Sequence, residues 1–187
     1  MPYLKDEDFI RGNCPMTKED VRILTMARLN VKENSRLLDV GTGTGSIAVQ
    51  GSILAPKGRV VSIERDEEAF EIALKNKEKF QCTNLEIIKG DAMDTLIHLQ
   101  EKFDCIFIGG SGGNLEEIIK ICDNLLLQEG KLVLNFVTLD NVYKAMSTLK
   151  ELNRKVNCTQ VAVSKTRGES YMLFSNNPIF IVDSEKV

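Results

Sequence analysis

The sequence contains a single histidine, His98, and its five cysteines are never spaced as C-x-x-C. Protein sites for zinc and similar metals are built mainly from histidine and cysteine, so a resident transition metal is not expected. A catalytic triad with histidine as its base would have to use His98. This residue lies in the amphipathic run "MDTLIHLQ" and is expected on a helix surface.

Long apolar runs and an excess of basic residues are also missing. No uninterrupted apolar stretch approaches the roughly 18 residues that a membrane span requires, and the start, "MPYLKDEDFIRGNC", has no basic region followed by an apolar core. The formal net charge is −3, so no general positive field attracts nucleic acid. The odd number of scattered cysteines predicts reduced thiols. We therefore expect a soluble cytoplasmic protein without a membrane or nucleic-acid partner.

What the sequence does contain is a regular alternation of buried-strand and amphipathic-helix patterns. A first helix within "PMTKEDVRILTMARLN", which Thr17 can cap, precedes strand-like runs at "SRLLDV", "RVVSIE", "LEIIK", "FDCIFIGG" and "GKLVLNFV". Helical runs separate these strands, and Asn114 and Glu117 form a reciprocal capping pattern at one of them. This order predicts one α/β domain over residues 1–187, with parallel strands and helices on both faces. The last two strand-like runs, "KVNCTQVAVSK" and "ESYMLFSNNPIFIV", predict a C-terminal antiparallel hairpin.

The first glycine-rich turn, "DVGTGTGS", runs from Asp39 to Ser46 and follows the first predicted strand. Ligands bind at this place in open parallel sheets, and Gly41, Gly43 and Gly45 let the backbone turn tightly beside one. A dinucleotide fingerprint would need glycine where Ser46 stands. A nicotinamide-dependent oxidoreductase is therefore the weaker alternative. Asp39 suits a cofactor that carries an amino group, and a helix-capping or turn residue is its alternative role.

Acidic residues also follow the next two predicted strands. Glu64 ends the second strand and is placed to accept hydrogen bonds from two ribose hydroxyls. Asp91 and Ala92 follow the third strand and are placed beside an adenine ring. Each feature alone is a weak signal. Three such features at three successive strand ends predict a cofactor that contains adenosine.

Together these motifs resemble class I S-adenosylmethionine-dependent methyltransferases, which have a three-layer, Rossmann-like α/β fold with a mostly parallel seven-stranded sheet and a C-terminal antiparallel hairpin. The segments "PMTKEDVR", "DVGTGTGS", "FIGGSGG", "NFVTLDN" and "NPIFIV" further resemble the cobalt-precorrin-6B C15-methyltransferase (decarboxylating) family of cobalamin biosynthesis. This resemblance covers essentially the whole chain. It implies methyl transfer to carbon 15 of a tetrapyrrole ring, with loss of carbon dioxide from the acetate on carbon 12, in the anaerobic route. It also suggests a homotetramer.

S-Adenosylmethionine is accordingly the expected co-substrate. The predicted cofactor site consists of Thr17, Asp39, Gly41, Thr42, Gly43, Thr44, Gly45, Glu64, Asp91 and Ala92. The contact from Thr17 is implied by the resemblance alone, and a plain helix N-cap is its alternative role.

A second glycine-rich turn, "IGGSGG", follows the fourth predicted strand. We predict that its glycines clear space for a broad macrocycle and that its N–H groups, with Ser111, meet a ring carboxylate. A flexible connection capped by Asn114 is the alternative. The candidate substrate-cleft residues are Gly109, Gly110, Ser111, Gly112, Gly113, Arg22 and Arg167.

The carboxylates of a tetrapyrrole need cationic partners, and basic residues flank the presumed cleft. The candidates are Arg11, Lys18, Arg22, Lys165 and Arg167, with solvated surface charge as the alternative for each. Three other functions stay open at this point. They are methylation of another substrate, such as tRNA or a protein carboxylate, nicotinamide-dependent redox chemistry, and cofactor binding without turnover.

Overall fold

The computed structural model describes residues 3–110 and 113–186 and has a central seven-stranded sheet with helices on both faces. The helices are α1 (Glu19–Leu29), α2 (Ser46–Leu54), α3 (Glu67–Lys79), α4 (Ala92–Leu96), α5 (Leu115–Leu125) and α6 (Leu139–Glu151). The strands are β1 (Arg36–Val40), β2 (Arg59–Glu64), β3 (Leu85–Lys89), β4 (Phe103–Ile108), β5 (Leu126–Phe136), β6 (Arg154–Val161), β7 (Ser164–Arg167), β8 (Met172–Ser175) and β9 (Ile179–Lys186). Within the described ranges, no helix is long and apolar enough to cross a membrane.

The order of strands in the sheet is β3-β2-β1-β4-β5-β9-β6. Strands β1 to β5 run parallel, whereas β9 lies antiparallel to both β5 and β6. The direction in which the strands are added reverses at β1, because β2 and β3 lie on one side of it and β4 and β5 on the other. The predicted α/β fold, with its mostly parallel sheet and C-terminal antiparallel pair, is confirmed.

The sheet is apolar on both faces, as expected where helices cover both. Along β1, Leu37 belongs to the core that α1 and α2 cover, while Leu38 and Val40 belong to the core beneath α4, α5 and α6. Successive residues of a strand point to opposite faces, so Asp39 points to the same face as Leu37. The fold therefore places this carboxylate inside a hydrophobic layer.

The start of α1 differs from the prediction. Lys18, not Thr17, occupies the N-cap position, and its side chain makes no capping hydrogen bond. The acceptor for the Glu19 N–H is instead the Asp6 carboxylate, at 2.8 Å. Helix N–H groups need an acceptor but not a local one, so a carboxylate from the N-terminal segment replaces the hydroxyl cap expected from Thr17.

Two smaller expectations met different outcomes. Asn114 stands at the N-cap of α5, but its side chain makes no capping hydrogen bond, so the predicted reciprocal capping with Glu117 is wrong. His98 is exposed, as predicted, although it lies in the turn after α4 and not within the helix.

The C-terminal region contains one hairpin more than predicted. The run "ESYMLFSNNPIFIV" forms two strands, β8 and β9, and β8 pairs antiparallel with β7 in a separate two-stranded sheet. Pro178 ends the connection between β8 and β9, and proline lacks the N–H that a continuing strand pair requires. The sequence pattern alone did not separate these two strands.

Candidate functional site

A cavity of about 680 Å³ lies at the carboxyl edge of the parallel strands. Its walls come from residues 13–18, from the turns that follow β1 to β5, and from the β6–β7 and β8–β9 connections. Of the predicted site residues that the structure describes, nine line it, namely Thr17, Gly41, Thr42, Gly43, Glu64, Asp91, Ala92, Gly109 and Gly110. The strand order explains this assembly, because ligands bind in open sheets where the strand order reverses.

Two glycines of the first turn are required by packing inside the protein. Gly41 and Gly43 have φ values of +76° and +56°, and residues other than glycine rarely adopt such positive values. A Cβ atom on Gly43 would lie 2.4 Å from the carbonyl oxygen of Pro15, and one on Gly41 would lie 2.8 Å from the backbone nitrogen of Gly110. The N-terminal segment and the second glycine turn thus both press against the first turn.

Asn76 of α3 joins the N-terminal segment to the first glycine turn. Its Nδ2 donates to the carbonyls of Ile10 and Thr44, each at 2.9 Å, and its Oδ1 accepts from the Ile10 N–H at 2.8 Å. The Thr44 N–H in turn donates to the Pro15 carbonyl at 3.1 Å. Asn76 is fully buried, so it positions the site from below. The sequence motifs did not identify Asn76, although an amide on the buried face of an amphipathic helix is a usable signal.

Glu64 holds the turns around it through its carboxylate. Oε2 accepts from the Gly43 N–H at 2.8 Å, and Oε1 accepts from the N–H groups of Arg65 and Asp66, both at 2.9 Å. The side chain is buried yet lines the cavity. Glu64 therefore ties the first glycine turn to the β2–α3 turn, besides being available to a ligand.

Asp39 lies fully buried under the first glycine turn and does not line the cavity. The Thr42 hydroxyl donates to its Oδ2 at 2.5 Å, while Oδ1 has no hydrogen-bond partner in the described part of the chain. Burial raises the pKa of the Asp39 carboxyl to about 7, with a smaller contribution from the nearby Glu64 carboxylate and against the effect of the Thr42 hydrogen bond. A buried carboxyl with an unused oxygen favours a cationic ligand group nearby.

The third strand end also has a structural role. Asp91 is the N-cap of α4, where its Oδ1 accepts from the Met93 N–H at 2.9 Å. Its Oδ2 lies 3.7 Å from a guanidinium nitrogen of Arg65. Asp91 and Ala92 both line the cavity, so the structure brings them to the place that the sequence predicted.

The second glycine turn approaches the first, but its N–H groups are used within the protein. The N–H groups of Gly109 and Gly110 both donate to the Val40 carbonyl, at 2.9 and 3.3 Å. The prediction that these two N–H groups bind a ring carboxylate is therefore wrong, because they continue the pairing between β1 and β4. Gly113 is exposed and does not line the cavity. Ser111 and Gly112 lie outside the described residues.

The predicted cationic residues separate into different roles. Arg22 is fully buried and does not line the cavity. Its guanidinium donates to the Thr17 carbonyl at 2.8 Å and to the Leu4 carbonyl at 2.5 Å, and it lies over the Phe9 ring at 4.8 Å. Arg22 therefore anchors the N-terminal segment, and its assignment to the substrate cleft is wrong.

Of the other cations, Lys18 lines the cavity, whereas Arg11 and Lys165 do not. Lys165 lies 2.6 Å from the carboxylate of Asp20, which does line it. The Arg167 side chain lies outside what the structure describes. In the described ranges, no group of three or more histidine, cysteine, aspartate or glutamate residues could hold a metal ion.

Four asparagines that the sequence patterns did not single out line the cavity, and one of them, Asn13, belongs to the N-terminal segment. Asn135 lies near the carboxyl end of β5, and Asn176 and Asn177 lie in the β8–β9 connection. Asn177 and Pro178 belong to the "NPIFIV" segment, which in the sequence indicates only the family resemblance. Asn135, Asn176 and Asn177 come together at the cavity only because β9 folds back beside β5.

The site can be compared with those of known proteins. The family model described as precorrin methyltransferase domain matches residues 8–186. A Sulfurisphaera tokodaii protein named probable cobalt-precorrin-6B C(15)-methyltransferase (decarboxylating) is 40% identical, covering 100% of this chain and 98% of its own length. The Salmonella typhimurium cobalt-precorrin-6B C(15)-methyltransferase (decarboxylating) is 35% identical, covering 98% of this chain and 96% of its own.

A solved structure shows the same similarity in three dimensions. The crystal structure of precorrin-6y C5,15-methyltransferase from Geobacter metallireducens has a TM-score of 0.94 and 36% identity, covering 99% of this chain and 96% of that chain. The sheet order, the cavity and the full-length match agree with one another, and the chain belongs to the precorrin methyltransferase family, with the class I methyltransferase fold.

Proposed function

We propose that this protein methylates carbon 15 of cobalt-precorrin-6B with S-adenosylmethionine and removes the carboxyl group of the acetate on carbon 12. It does so as a single-domain enzyme of the anaerobic route of cobalamin biosynthesis. One observation carries the proposal. A single cavity contains both glycine turns and the Glu64 and Asp91 strand ends, in a chain that matches this family over nearly its full length.

The residues around the cavity fit S-adenosylmethionine chemically. The orphaned oxygen of buried Asp39 suits the cofactor's ammonium group, and Thr42 connects that carboxylate to the cavity lining. Gly41, Thr42 and Gly43 of the first glycine turn take the methionine part, whereas the predicted Thr44 and Gly45 do not line the cavity. Glu64 takes the ribose, Asp91 with Ala92 takes the adenine, and Thr17 closes the site from the N-terminal segment.

The protein's own task is alignment and exclusion of water. When bound, the sulfonium of S-adenosylmethionine supplies a methyl group that is already activated for attack by carbon. The Gly41 and Gly110 backbones approach each other beyond the ends of β1 and β4, which supports a cofactor and a tetrapyrrole bound side by side there. Residues 13–18 line the same cavity, so alignment and desolvation are the contributions expected from this chain.

Mass spectrometry of cobalt-precorrin-6B after incubation with the protein and S-adenosylmethionine tests the proposal. The expected product has gained one methyl group and lost one carbon dioxide, with S-adenosylhomocysteine formed in equal amount. Methyl transfer to total tRNA, or to protein carboxylates, without any change in the tetrapyrrole would replace this function with one of those alternatives.

We further propose that the chain forms a homo-oligomer, with a tetramer as the expected state, through the β7–β8 hairpin, and that it works in the cytoplasm. Tyr171, Met172 and Leu173 are 76%, 59% and 68% exposed on the hairpin, an apolar surface suited to a second copy of the chain. The cysteines are free, which suits a reducing compartment. Analytical ultracentrifugation of the protein and its Leu173→Asp variant tests the contact. The variant is expected to dissociate into monomers, whereas a monomeric wild-type protein would contradict the proposed subunit contact.

A further inference from the structure

The cavity is divided by charge into two halves. On one side, the turns after β2 and β3 and the start of α3 contribute four carboxylates to the lining, against the one guanidinium of Arg65. These carboxylates belong to Glu64, Asp66, Glu68 and Asp91. We call this side the cofactor half, because it contains the predicted ribose and adenine contacts.

The opposite side is formed by the ends of β4 and β5 and by the β6–β7 and β8–β9 connections. We call it the acceptor half. In the described ranges, these strand ends and connections contribute no ionisable residue to the lining. They contribute three asparagines and an apolar wall that includes Phe136, Val163 and Ile179. The separation follows from the sheet order, because β2 and β3 lie on one side of β1 and β4, β5, β9 and β6 on the other.

Among the side chains that the structure describes, charged ones reach the edge of the acceptor half only from the start of α1. Lys18 and Asp20 line the cavity there, and the Asp20 carboxylate lies 2.6 Å from the ammonium of Lys165. This edge carries no excess of negative charge. A substrate with several carboxylates is therefore repelled by the cofactor half and accepted by the other.

The three asparagines of the acceptor half differ in what they offer. Asn135 donates one of its two Nδ2 hydrogens to the buried Thr25 hydroxyl at 3.0 Å, so only the other remains for a ligand. The side chains of Asn176 and Asn177 are exposed and make no hydrogen bond within the described residues. The Asn176 backbone N–H donates to the Val163 carbonyl at 3.1 Å, which holds their connection in place. Asn176 and Asn177 thus present amide donors to the cavity from a restrained segment.

Neutral donors suit one chemical task in particular. A carboxylate paired with an ammonium or guanidinium group is stabilised as the anion, and this stabilisation is lost when the carboxylate becomes neutral carbon dioxide. An amide orients a carboxylate through a weaker hydrogen bond, and an apolar wall removes water from it. Decarboxylation is therefore favoured by amides in an apolar setting and hindered by a cation.

We infer that Asn176 and Asn177 bind the substrate carboxylate that leaves as carbon dioxide. This inference rests on the proposed function. In the step, the bond between the acetate methylene and its carboxyl carbon breaks, and carbon dioxide leaves. The electron pair of that bond is delocalised into the conjugated ring, and it then forms the new C–H bond when the exocyclic carbon takes one proton from solvent and becomes a methyl group.

Two double variants test this inference, and both are compared with Asn34→Lys, an exposed control in the loop between α1 and β1 at the opposite edge of the sheet. In Asn176→Lys/Asn177→Lys, the new cations should stabilise the bound carboxylate, so carbon dioxide release slows at least about tenfold while KM does not rise. In Asn176→Leu/Asn177→Leu, the donors are lost, and KM for the tetrapyrrole rises about tenfold or more. Affinity for S-adenosylmethionine, measured by calorimetry, should stay at the wild-type value in all three.

The outcomes distinguish failure of the proposed function from failure of the proposed carboxylate site. If the wild-type protein does not act on cobalt-precorrin-6B, the proposed function fails first. If the wild type is active and the lysine variant releases carbon dioxide at a rate within about twofold of Asn34→Lys, the carboxylate site is refuted. An unchanged KM in the leucine variant refutes it as well. Should a double variant lose cofactor affinity through misfolding, the corresponding single variants are judged by the same criteria.

Discussion

Replacing Glu64 with alanine is expected to destabilise the protein even when no cofactor is present. The carboxylate accepts hydrogen bonds from the backbone N–H groups of Gly43, Arg65 and Asp66, at 2.8 to 2.9 Å. A residue that only bound ribose would leave the stability of the free protein unchanged. The structure therefore predicts an effect that the sequence motif does not.

The size of the effect follows from the surroundings of each hydrogen bond. The bond from the Gly43 N–H is buried, so its loss leaves a donor without a partner at a cost of about 1–3 kcal/mol. The bonds from Arg65 and Asp66 are partly buried, and water replaces the carboxylate there at a cost of about 1 kcal/mol in total. The free energy of unfolding should thus fall by about 2–4 kcal/mol, which lowers Tm by roughly 5–12 °C for a domain of this size.

Urea unfolding and calorimetry of the free Glu64→Ala protein measure this loss, with Glu86→Ala as the matched control. Glu86 also lies on a strand, but its ion pair with Arg59 is half exposed and is worth about 0–1 kcal/mol. Titration with S-adenosylmethionine gives the second effect, a loss of affinity of about 1–3 kcal/mol from the proposed ribose contacts. Unfolding free energies that agree between Glu64→Ala and Glu86→Ala would refute the structural role, and an unchanged Kd would remove Glu64 from the cofactor site.

Three further predictions concern residues around the first glycine turn. Because burial raises the pKa of Asp39 to about 7 from its ordinary value of 3.8, the native state keeps a proton that the unfolded chain releases. Stability should therefore fall by about 1.4 kcal/mol per pH unit from pH 4 to 7 through this group, and Asp39→Asn should remove that slope in urea unfolding. Gly43→Asp should abolish binding of S-adenosylmethionine in calorimetry, because φ is +56° and a Cβ would meet the Pro15 carbonyl oxygen at 2.4 Å. Asn76→Leu should lower the free energy of unfolding by about 2–4 kcal/mol, since one buried and two partly buried hydrogen bonds are lost, and should speed proteolysis before residue 18.

Each of these predictions has a control within the chain. Asp104, partly buried and bonded to the Arg36 N–H, is a second aspartate for comparison of pH profiles. A Cβ on Gly110 would lie no closer than 3.9 Å to its neighbours, so Gly110→Ala should fold and bind the cofactor. The larger Gly110→Val should retain cofactor binding but lose turnover. Each prediction would be contradicted by one result. These results are cofactor binding by Gly43→Asp, an unchanged pH slope in Asp39→Asn, and wild-type stability of Asn76→Leu.

The sequence by itself determined the class of the fold and the position of the site. Alternating strand and helix patterns report which face of each element is buried, and parallel strands joined by helices can be arranged in few ways. Glycines and acidic residues at strand ends therefore identify a ligand site, because those ends meet at one edge. Gly41, Gly43, Glu64 and Asp91 were found in this way, and the structure brings all four to one cavity.

Only the tertiary structure decided which polar groups are used inside the protein and which are left for a ligand. The Arg22 guanidinium donates to the carbonyls of Leu4 and Thr17, and the N–H groups of Gly109 and Gly110 donate to the Val40 carbonyl. These groups are therefore not left for a ligand. Hydrogen bonds such as those of Asn76 join residues up to 66 positions apart. Local periodicity contains no information on such partners, because each pairing depends on how distant segments pack. The same reason explains why the β7–β8 hairpin and the amides of the acceptor half became visible only in three dimensions.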